Sequence, residues 1–248
     1  FFWPFVRITA FMTATPLWGH SSIPNQAKVA LAAVIAVVIA PVLPPMPSVP
    51  LMSWAGLGII IEQMLIGIAI GLVMHIMFAV VQAAGEFIGL QMGLAFASFF
   101  DMSSGTNIMV LSRILYMVTL LMFLAFNGHL MVLETLVMSF ETLPIGIGSL
   151  NPNAFELLAR YAGTIFASGM LLALPLVASL LIINLSLGIL NRSAPQLTVF
   201  NIGFPTSLTV GIVLLMVLMS DIGSFLQQLF SQGISFTQSL IETMAPLN

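Results

Sequence analysis

The sequence contains no cysteine and very few charged residues. Without cysteine, the chain has neither disulfides nor thiolate metal ligands. Five Lys and Arg residues against eight Asp and Glu residues leave no basic patch, so nucleic acid is not an expected partner. Charged residues make up 5% of the chain, whereas soluble domains carry roughly 25%. Such a chain has too little charge to cover a surface in water.

Apolar residues are abundant instead. They form 60% of the sequence, and the mean hydropathy is +1.15. We therefore expect an integral membrane protein with several spans in the lipid bilayer. Because the first residue is Phe1 rather than Met, we expect a few residues to precede it, and no cleavable signal is evident.

The apolar runs predict an all-α fold of long kinked helices and helical hairpins. Five prolines in 41–50 indicate a stiff connector, and Asn127-Gly128 indicates a turn. Asn153, with Glu156 three residues later, is typical of a helix N-terminus; that helix could run to Leu190 with a kink near Pro175. The other apolar runs are 27–40, 54–100, 108–126, 130–143 and 206–219.

The second run is longer than a bilayer requires. A helix of about 43 residues would extend roughly 64 Å, against a hydrocarbon core of about 30 Å. Small and polar residues share one stripe of this helix, which permits close backbone approach and hydrogen bonds between helices. We therefore predict packing against protein along the stripe, which consists of Gly71, His75, Gln82, Glu86, Gly89 and Gly93. Gly85 and Gln91 of the same stretch are also expected to take part in subunit contacts or helix packing.

The C-terminal segment is predicted to be an amphipathic helix. Its apolar face holds Leu226, Leu229, Phe230, Gly233, Leu240, Ile241 and Met244. Its polar face is neutral, because it holds Gln227, Gln228, Ser231, Gln232, Ser235, Gln238 and Ser239. A helix on anionic headgroups would carry Lys or Arg, and none follows Arg192. A hydrated lumen or a polar subunit contact suits this face better.

No catalytic or metal-binding constellation can be assembled from the sequence, and we expect no cofactor, no metal and no enzyme activity. Glu62 and His75 lie within an apolar run, where ionisable residues suggest function; hydrogen bonding between helices is favoured over a proton relay. Glu134 and Glu141 share a helix face and are expected to meet water or a neighbour rather than a metal.

Two polar segments invite a more specific hypothesis. The first follows the second apolar run and is either a surface turn, with a cap for the next helix, or a plug whose apolar side chains block a channel. Its residues are Phe99, Phe100, Asp101, Met102, Ser103, Ser104, Gly105, Thr106 and Asn107. The second, NRSAPQLTVFNIGFP at 191–205, is too polar for a hydrocarbon core and too apolar for an ordinary loop.

Three stretches together resemble the FliR family of flagellar export-gate proteins, which is homologous to the T-type subunit of virulence secretion systems. They are GEFIGLQMGLAFASFFD at 85–101, NRSAPQLTVFNIGFP, and a spaced N-terminal set of Arg7, Phe11, Pro16, Ile23, Pro24 and Lys28.

This resemblance implies a subunit of the flagellar basal body, in the bacterial inner membrane, through which unfolded flagellar subunits are exported. The implied partners are FliP and FliQ around one FliR copy, with FlhB at the cytoplasmic side. The implied fold joins a FliP-like part, about 1–190, to a FliQ-like hairpin, about 191–248, within a hetero-oligomeric helical cone. The 99–107 segment would then lie at the central constriction.

For the 191–205 motif we expect a subunit contact rather than simple chain reversal. Arg192 should lie at the membrane edge, while Asn191 and Gln196 offer amides to neighbouring backbone. Pro195 and Pro205 stiffen the ends. Reversal alone would need neither Gln196 nor the pair Val199 and Phe200.

The main alternative is a multi-pass small-solute secondary transporter, in which Glu62 or His75 would form the site. Internal hydropathy symmetry would favour it, and none is found. An intramembrane enzyme is a third possibility, but it lacks a candidate constellation.

Overall fold

A computed structural model describes residues 1–94, 110–146, 148, 150–193 and 202–246. Within these ranges the regular structure is helical and contains no strand. This confirms the expected all-α fold. The helices are α1 (Phe2–Ala14), α2 (Asn25–Ile39), α3 (Trp54–Gln91), α4 (Val110–Ala125), α5 (Gly128–Thr142), α6 (Asn153–Tyr161), α7 (Thr164–Ser193) and α8 (Phe204–Met244).

The long helix α3 ends earlier than its apolar run predicts. Its 38 residues span about 57 Å, still well beyond a hydrocarbon core of about 30 Å. Gly93 follows the helix with a φ of 80°, and the Leu94 N–H donates to the Gly89 carbonyl at 2.9 Å. A left-handed glycine with this hydrogen bond is a Schellman termination, so the helix stops although the sequence remains apolar.

The predicted turn at Asn127-Gly128 is confirmed. Asn127 adopts a left-handed conformation with a φ of 56°, which asparagine tolerates better than most residues. The helices on its two sides, α4 and α5, bend by 68°.

The start and length of the next helical region differ from the prediction. Asn153 is the first helical residue rather than the cap, and the Asn151 Oδ1 accepts from the Asn153 N–H at 3.0 Å. Glu156 instead pairs with Arg160 at 2.7 Å. The helix breaks after Tyr161, and α7 then continues through Pro175.

In the described part of the chain, three helical stretches are long and apolar enough to cross a membrane. They are Trp54–Gln91, Asn153–Ser193 and Phe204–Met244; the bent pair of α4 and α5 would make a fourth.

The chain forms two compact units, each assembled from separate stretches of sequence. The first comprises Phe1–Met77, Phe123–Gly163 and Leu229–Asn248, and its core includes Phe11, Ile66, Ile70, Phe123 and Phe140. The second comprises Phe78–Met122 and Thr164–Gln228, and its core includes Phe78, Val81, Leu115, Leu176 and Leu180. This division differs from the FliP-like and FliQ-like parts, which stay a prediction.

Candidate functional site

The first unit encloses a fully buried arginine, Arg7 of α1. Its Nε donates to Gln63 Oε1 at 2.8 Å. Its Nη1 donates to the carbonyl and the Oγ of Ser139, at 2.9 and 3.0 Å. Its Nη2 donates to the Leu143 carbonyl at 2.8 Å, and the guanidinium carbon lies 4.1 Å from the centre of the Phe140 ring. This arginine centre connects α1 with α3, with α5 and with the residue that follows α5.

Close helix approach makes this geometry possible. At Gly67 of α3, a Cβ would collide with the Arg7 carbonyl oxygen and would lie 2.9 Å from the Phe11 nitrogen. Glycine is therefore required where α1 crosses α3. Phe11, one turn after Arg7, is fully buried and packs against Trp18 with ring centroids 5.7 Å apart.

Arg7 remains positively charged although its side chain is buried. Burial lowers its pKa to about 9, and the nearby Glu62 carboxylate partly opposes the shift. At neutral pH the guanidinium therefore keeps its proton. A buried charge is tolerated when its donors are satisfied, and each of the three guanidinium nitrogens has an acceptor. The centre is a structural lock rather than a reactive site.

Sequence reasoning missed this centre. The sequence highlights Arg7 only through the family resemblance, and it does not single out Gln63 or Ser139. An isolated arginine in an apolar helix is a signal for a buried polar partner. Gln63 and Ser139, both fully buried, give no comparable signal, because a neutral polar residue in an apolar run has many uses.

The glycines and polar side chains of α3 that are predicted to take part in subunit contacts or helix packing do not share one environment. Gly71, Gly85 and Gly89 are buried, whereas His75 and Glu86 are exposed and Gln82 and Gln91 are half-buried. Gly93 is half-buried and terminates the helix.

The buried glycines serve contacts within the chain. A Cβ at Gly71 would lie 2.6 Å from that of Ala14, and one at Gly85 would lie 2.5 Å from the Ser112 Cα. Ser112 Oγ also donates to the Gln82 carbonyl at 2.9 Å. Subunit contacts by the exposed side chains stay a prediction.

The two faces of the C-terminal helix are confirmed. All seven residues of its apolar face between Leu226 and Met244 are buried, and all seven Gln and Ser residues of its polar face are exposed. Thr237 and Glu242 extend the pattern, since the first is buried and the second exposed. One flank of α8 therefore presents a row of amides and hydroxyls.

The proposed plug, 99–107, lies outside the described residues, as do Pro195, Gln196, Val199 and Phe200. Of the remaining motif residues, Asn191 is half-buried, and Arg192 and Pro205 are exposed. Beside the motif, Ser207 Oγ donates to Asn184 Oδ1 at 2.7 Å, so α7 and α8 are hydrogen-bonded near their junction.

The predicted acidic and histidine candidates do not form a reactive cluster. Glu62 and His75 are thirteen residues apart on one continuous helix, which separates them by about 20 Å along its axis. Glu134 and Glu141 are both exposed. Among the described residues, no group of His, Asp and Glu could hold a metal ion.

The fold defines an all-helical, multi-pass membrane protein, and the buried arginine centre connects helices of its first unit. The sequence model of the family described as "Bacterial export proteins, family 1" matches residues 1–233.

Similarity to individual proteins of known name supports the same family. The chain is 48% identical over 244 residues to the flagellar biosynthetic protein FliR of Escherichia coli strain K12, covering 98% of this chain and 93% of the relative. It is also 48% identical over 232 residues to FliR of Pectobacterium carotovorum, covering 94% and 88%. FliR of Bacillus subtilis strain 168 is 31% identical over 242 residues, covering 96% and 92%. The chain belongs to the FliR family of flagellar export proteins.

Proposed function

We propose that this chain is a subunit of the flagellar type III export gate in the bacterial inner membrane. Together with FliP and FliQ it would form the channel for unfolded flagellar subunits, with one copy of this chain in the complex and FlhB at the cytoplasmic side. Membership of the FliR family supports a flagellar export role. The assembly into a channel is inferred from the surfaces that the chain leaves uncovered.

The observation that carries the proposal is the exposed polar face of α8. Its seven Gln and Ser residues face away from the buried side of the helix. Amides and hydroxyls in hydrocarbon leave hydrogen-bonding groups unsatisfied, at several kcal/mol for each group. A lipid-facing helix would not retain them, so this face is suited to water in a conduit or to polar groups on another subunit.

A second surface also fits an assembled protein. Helix α3 is about 57 Å long. At the tilt angles usual for membrane helices, such a helix is too long to fit within a hydrocarbon core of about 30 Å. Apolar side chains such as Leu57, Ile61, Leu72 and Leu90 are exposed along it. Partner subunits would cover the part of α3 that lipid does not reach.

The assembly has a direct test in an Escherichia coli strain that lacks its own FliR. A tagged copy of this chain should restore swimming and should co-purify with FliP and FliQ from detergent-solubilised membranes. Gln232→Leu and Gln228→Leu, on the exposed face, should reduce the recovered complex or its export. The matched control is Thr209→Leu, an exposed polar-to-apolar change on the same helix outside this face. A chain that restores swimming but purifies alone would contradict the gate proposal.

The plug is a separate part of the proposal. Segment 99–107 would close the channel until a substrate arrives, since Phe99 and Phe100 are bulky and apolar while Ser103, Ser104 and Gly105 are small. Deletion of 99–107 should let small ions leak across the inner membrane, measurable as a rise in conductance. An unchanged conductance would contradict the plug without affecting the assembly.

The transporter alternative is less well supported at α3, the helix that carries its candidate residues. Secondary transporters place their site at broken helices near the midplane, but α3 runs without a break from Trp54 to Gln91. Its candidate residues Glu62 and His75 do not meet. Substrate-dependent solute uptake by the chain alone would revive this alternative.

A further inference from the structure

A groove of about 310 Å³ opens beside the first turns of α3 in the first unit. Its lining includes Trp54, Gly58, Ile61, Glu62, Leu65 and Leu150. The indole of Trp54 is 90% exposed and Ile61 is 60% exposed, so apolar surface faces outward along the rim. At Gly58 a Cβ would meet no atom within 4 Å, which leaves the space above the helix backbone open.

Among the described residues that line the groove, Glu62 is the only ionisable one. It is half-buried, and the Gly148 backbone lies close to its carboxylate, since a Cβ at Gly148 would be 3.4 Å from Glu62 Oε1. An ionised carboxylate has about four lone-pair positions, so it can accept several hydrogen bonds from one cationic group.

Among the described residues, no basic side chain forms an ion pair with Glu62. The ion pair found in this part of the chain joins Arg160 and Glu156 of α6. Arg7 interacts electrostatically with Glu62, but its guanidinium donates its hydrogen bonds to Gln63, Ser139 and Leu143. Lys28 is also engaged, because its Nζ donates to the Gly19 carbonyl at 3.0 Å. Among the described residues, Glu62 therefore feels the charge of Arg7 but has no ion-pair partner of its own, which leaves its carboxylate available to a cationic group of another molecule.

The shape and charge of the groove select a particular kind of group. Lysine and arginine side chains place an aliphatic stem along apolar surface and a cationic head at the end. Here the apolar walls match the stem and Glu62 matches the head, while an exposed indole can stack on a cation. The volume of about 310 Å³ is large enough to hold one such side chain.

We propose that the Glu62 groove receives a lysine or arginine side chain from a neighbouring subunit of the export gate. This inference rests on the proposed function, and it adds the partner chemistry at one contact. Anionic lipid headgroups would be repelled by the carboxylate, and a lipid amine is the competing occupant that the test must separate.

The occupant can be trapped in the intact complex. Ile61 is replaced by the photocrosslinker p-benzoylphenylalanine, which leaves Glu62 in place, and cells carrying the whole export apparatus are irradiated. We expect a covalent adduct to another subunit, with a Lys or Arg within one helical turn of the crosslinked position. An adduct to lipid alone, or to a peptide without a basic residue there, would overturn the proposal.

Charge reversal gives an independent test. Glu62→Lys should lower the co-purified partner at least tenfold, and Glu62→Gln should have a smaller effect because it removes the negative charge without introducing a positive one. Reversal of the partner's basic residue to Glu should restore recovery with Glu62→Lys to within twofold of wild type. Glu134→Lys is the matched control, since Glu134 is exposed and does not line the groove.

These outcomes separate the two proposals. A wild-type chain that co-purifies with no export protein contradicts the proposed function itself. A wild-type chain that co-purifies, together with normal recovery of Glu62→Lys or equal losses for Glu62→Lys and Glu134→Lys, overturns only the groove inference. The crosslinking result stands even if Glu62→Lys does not fold.

Discussion

Replacing Arg7 with methionine tests the arginine centre. Methionine has a similar length but no charge and no donors. The Ser139 carbonyl would keep its bond from the Leu143 N–H, and Ser139 Oγ would still donate to the Leu136 carbonyl. Gln63 Oε1 and the Leu143 carbonyl would lose the Arg7 donors that satisfy them.

The magnitude follows from these two acceptors. A buried acceptor left unsatisfied costs about 1–3 kcal/mol, so two cost roughly 2–6 kcal/mol. Removing the buried guanidinium returns part of this, because its desolvation penalty of several kcal/mol disappears. We expect Arg7→Met to lower the free energy of unfolding by about 2–4 kcal/mol.

A double substitution makes the reasoning falsifiable. Gln63 Nε2 is already buried without a partner in the described part of the chain, so Gln63→Met removes one unsatisfied donor. It also removes the acceptor that Arg7→Met would strand. The double variant should therefore be more stable than Arg7→Met alone, by about 1–3 kcal/mol.

Unfolding in mixed detergent micelles, followed by circular dichroism during titration with a denaturing detergent, gives these free energies. Arg113→Met is the control, because Arg113 is exposed and such surface changes usually stay within about 0.5 kcal/mol. An Arg7→Met variant as stable as wild type, or a double variant less stable than either single one, would refute the account of the centre.

Three further predictions concern helix packing and helix ends, and each uses the same unfolding measurement. Gly67→Ala should destabilise the protein by about 1–3 kcal/mol or more, since the new Cβ collides with the Arg7 carbonyl. The control Gly58→Ala has open space around its Cβ and should be neutral or stabilising by up to about 1 kcal/mol. Equal effects of the two substitutions would contradict the close crossing of α1 and α3. Ser207→Ala should lower the free energy of unfolding by about 0.5–1.5 kcal/mol, because it removes the 2.7 Å hydrogen bond to Asn184. Ser220→Ala, at an exposed position on the same helix, should change it little. A neutral Ser207→Ala would show that this hydrogen bond does not stabilise the contact between α7 and α8. Asn151→Ala should lower the free energy of unfolding by about 1 kcal/mol, because it removes the side chain that caps α6. Asn153→Ala should lower it by less. A larger loss for Asn153→Ala would instead support Asn153 as the capping residue, as the sequence predicts.

The sequence predicts those parts of the fold that depend on local chemistry. The turn at Asn127 follows from a residue that tolerates a left-handed backbone. The two faces of α8 follow from strict helical periodicity over about five turns. Both signals are complete within a short window of sequence.

The errors arise where the outcome depends on distant contacts or on single hydrogen bonds. Gly93 ends α3 inside an apolar run, because a glycine can adopt the left-handed conformation that composition alone does not reveal. The side chain that caps α6 is Asn151 rather than Asn153, and the two are equally good capping residues. The arginine centre unites residues 7, 63 and 139, and no local pattern joins positions so far apart.

The stripe on α3 shows the same limit in another form. Helical periodicity places Gly71, His75 and Glu86 within one broad sector, but burial depends on which neighbours cover each part of the helix. The glycines are covered by this chain, while the two ionisable side chains are left exposed. Periodicity within one helix does not reveal which neighbours each position has, so burial along α3 could not be predicted from the sequence.

The subunit role itself is tested most directly by native mass spectrometry of the tagged chain, purified in mild detergent from cells that express FliP and FliQ with it. The account predicts one dominant species whose mass contains a single copy of this chain together with copies of both partners. A chain recovered alone, or a complex with two or more copies of it, would contradict the account.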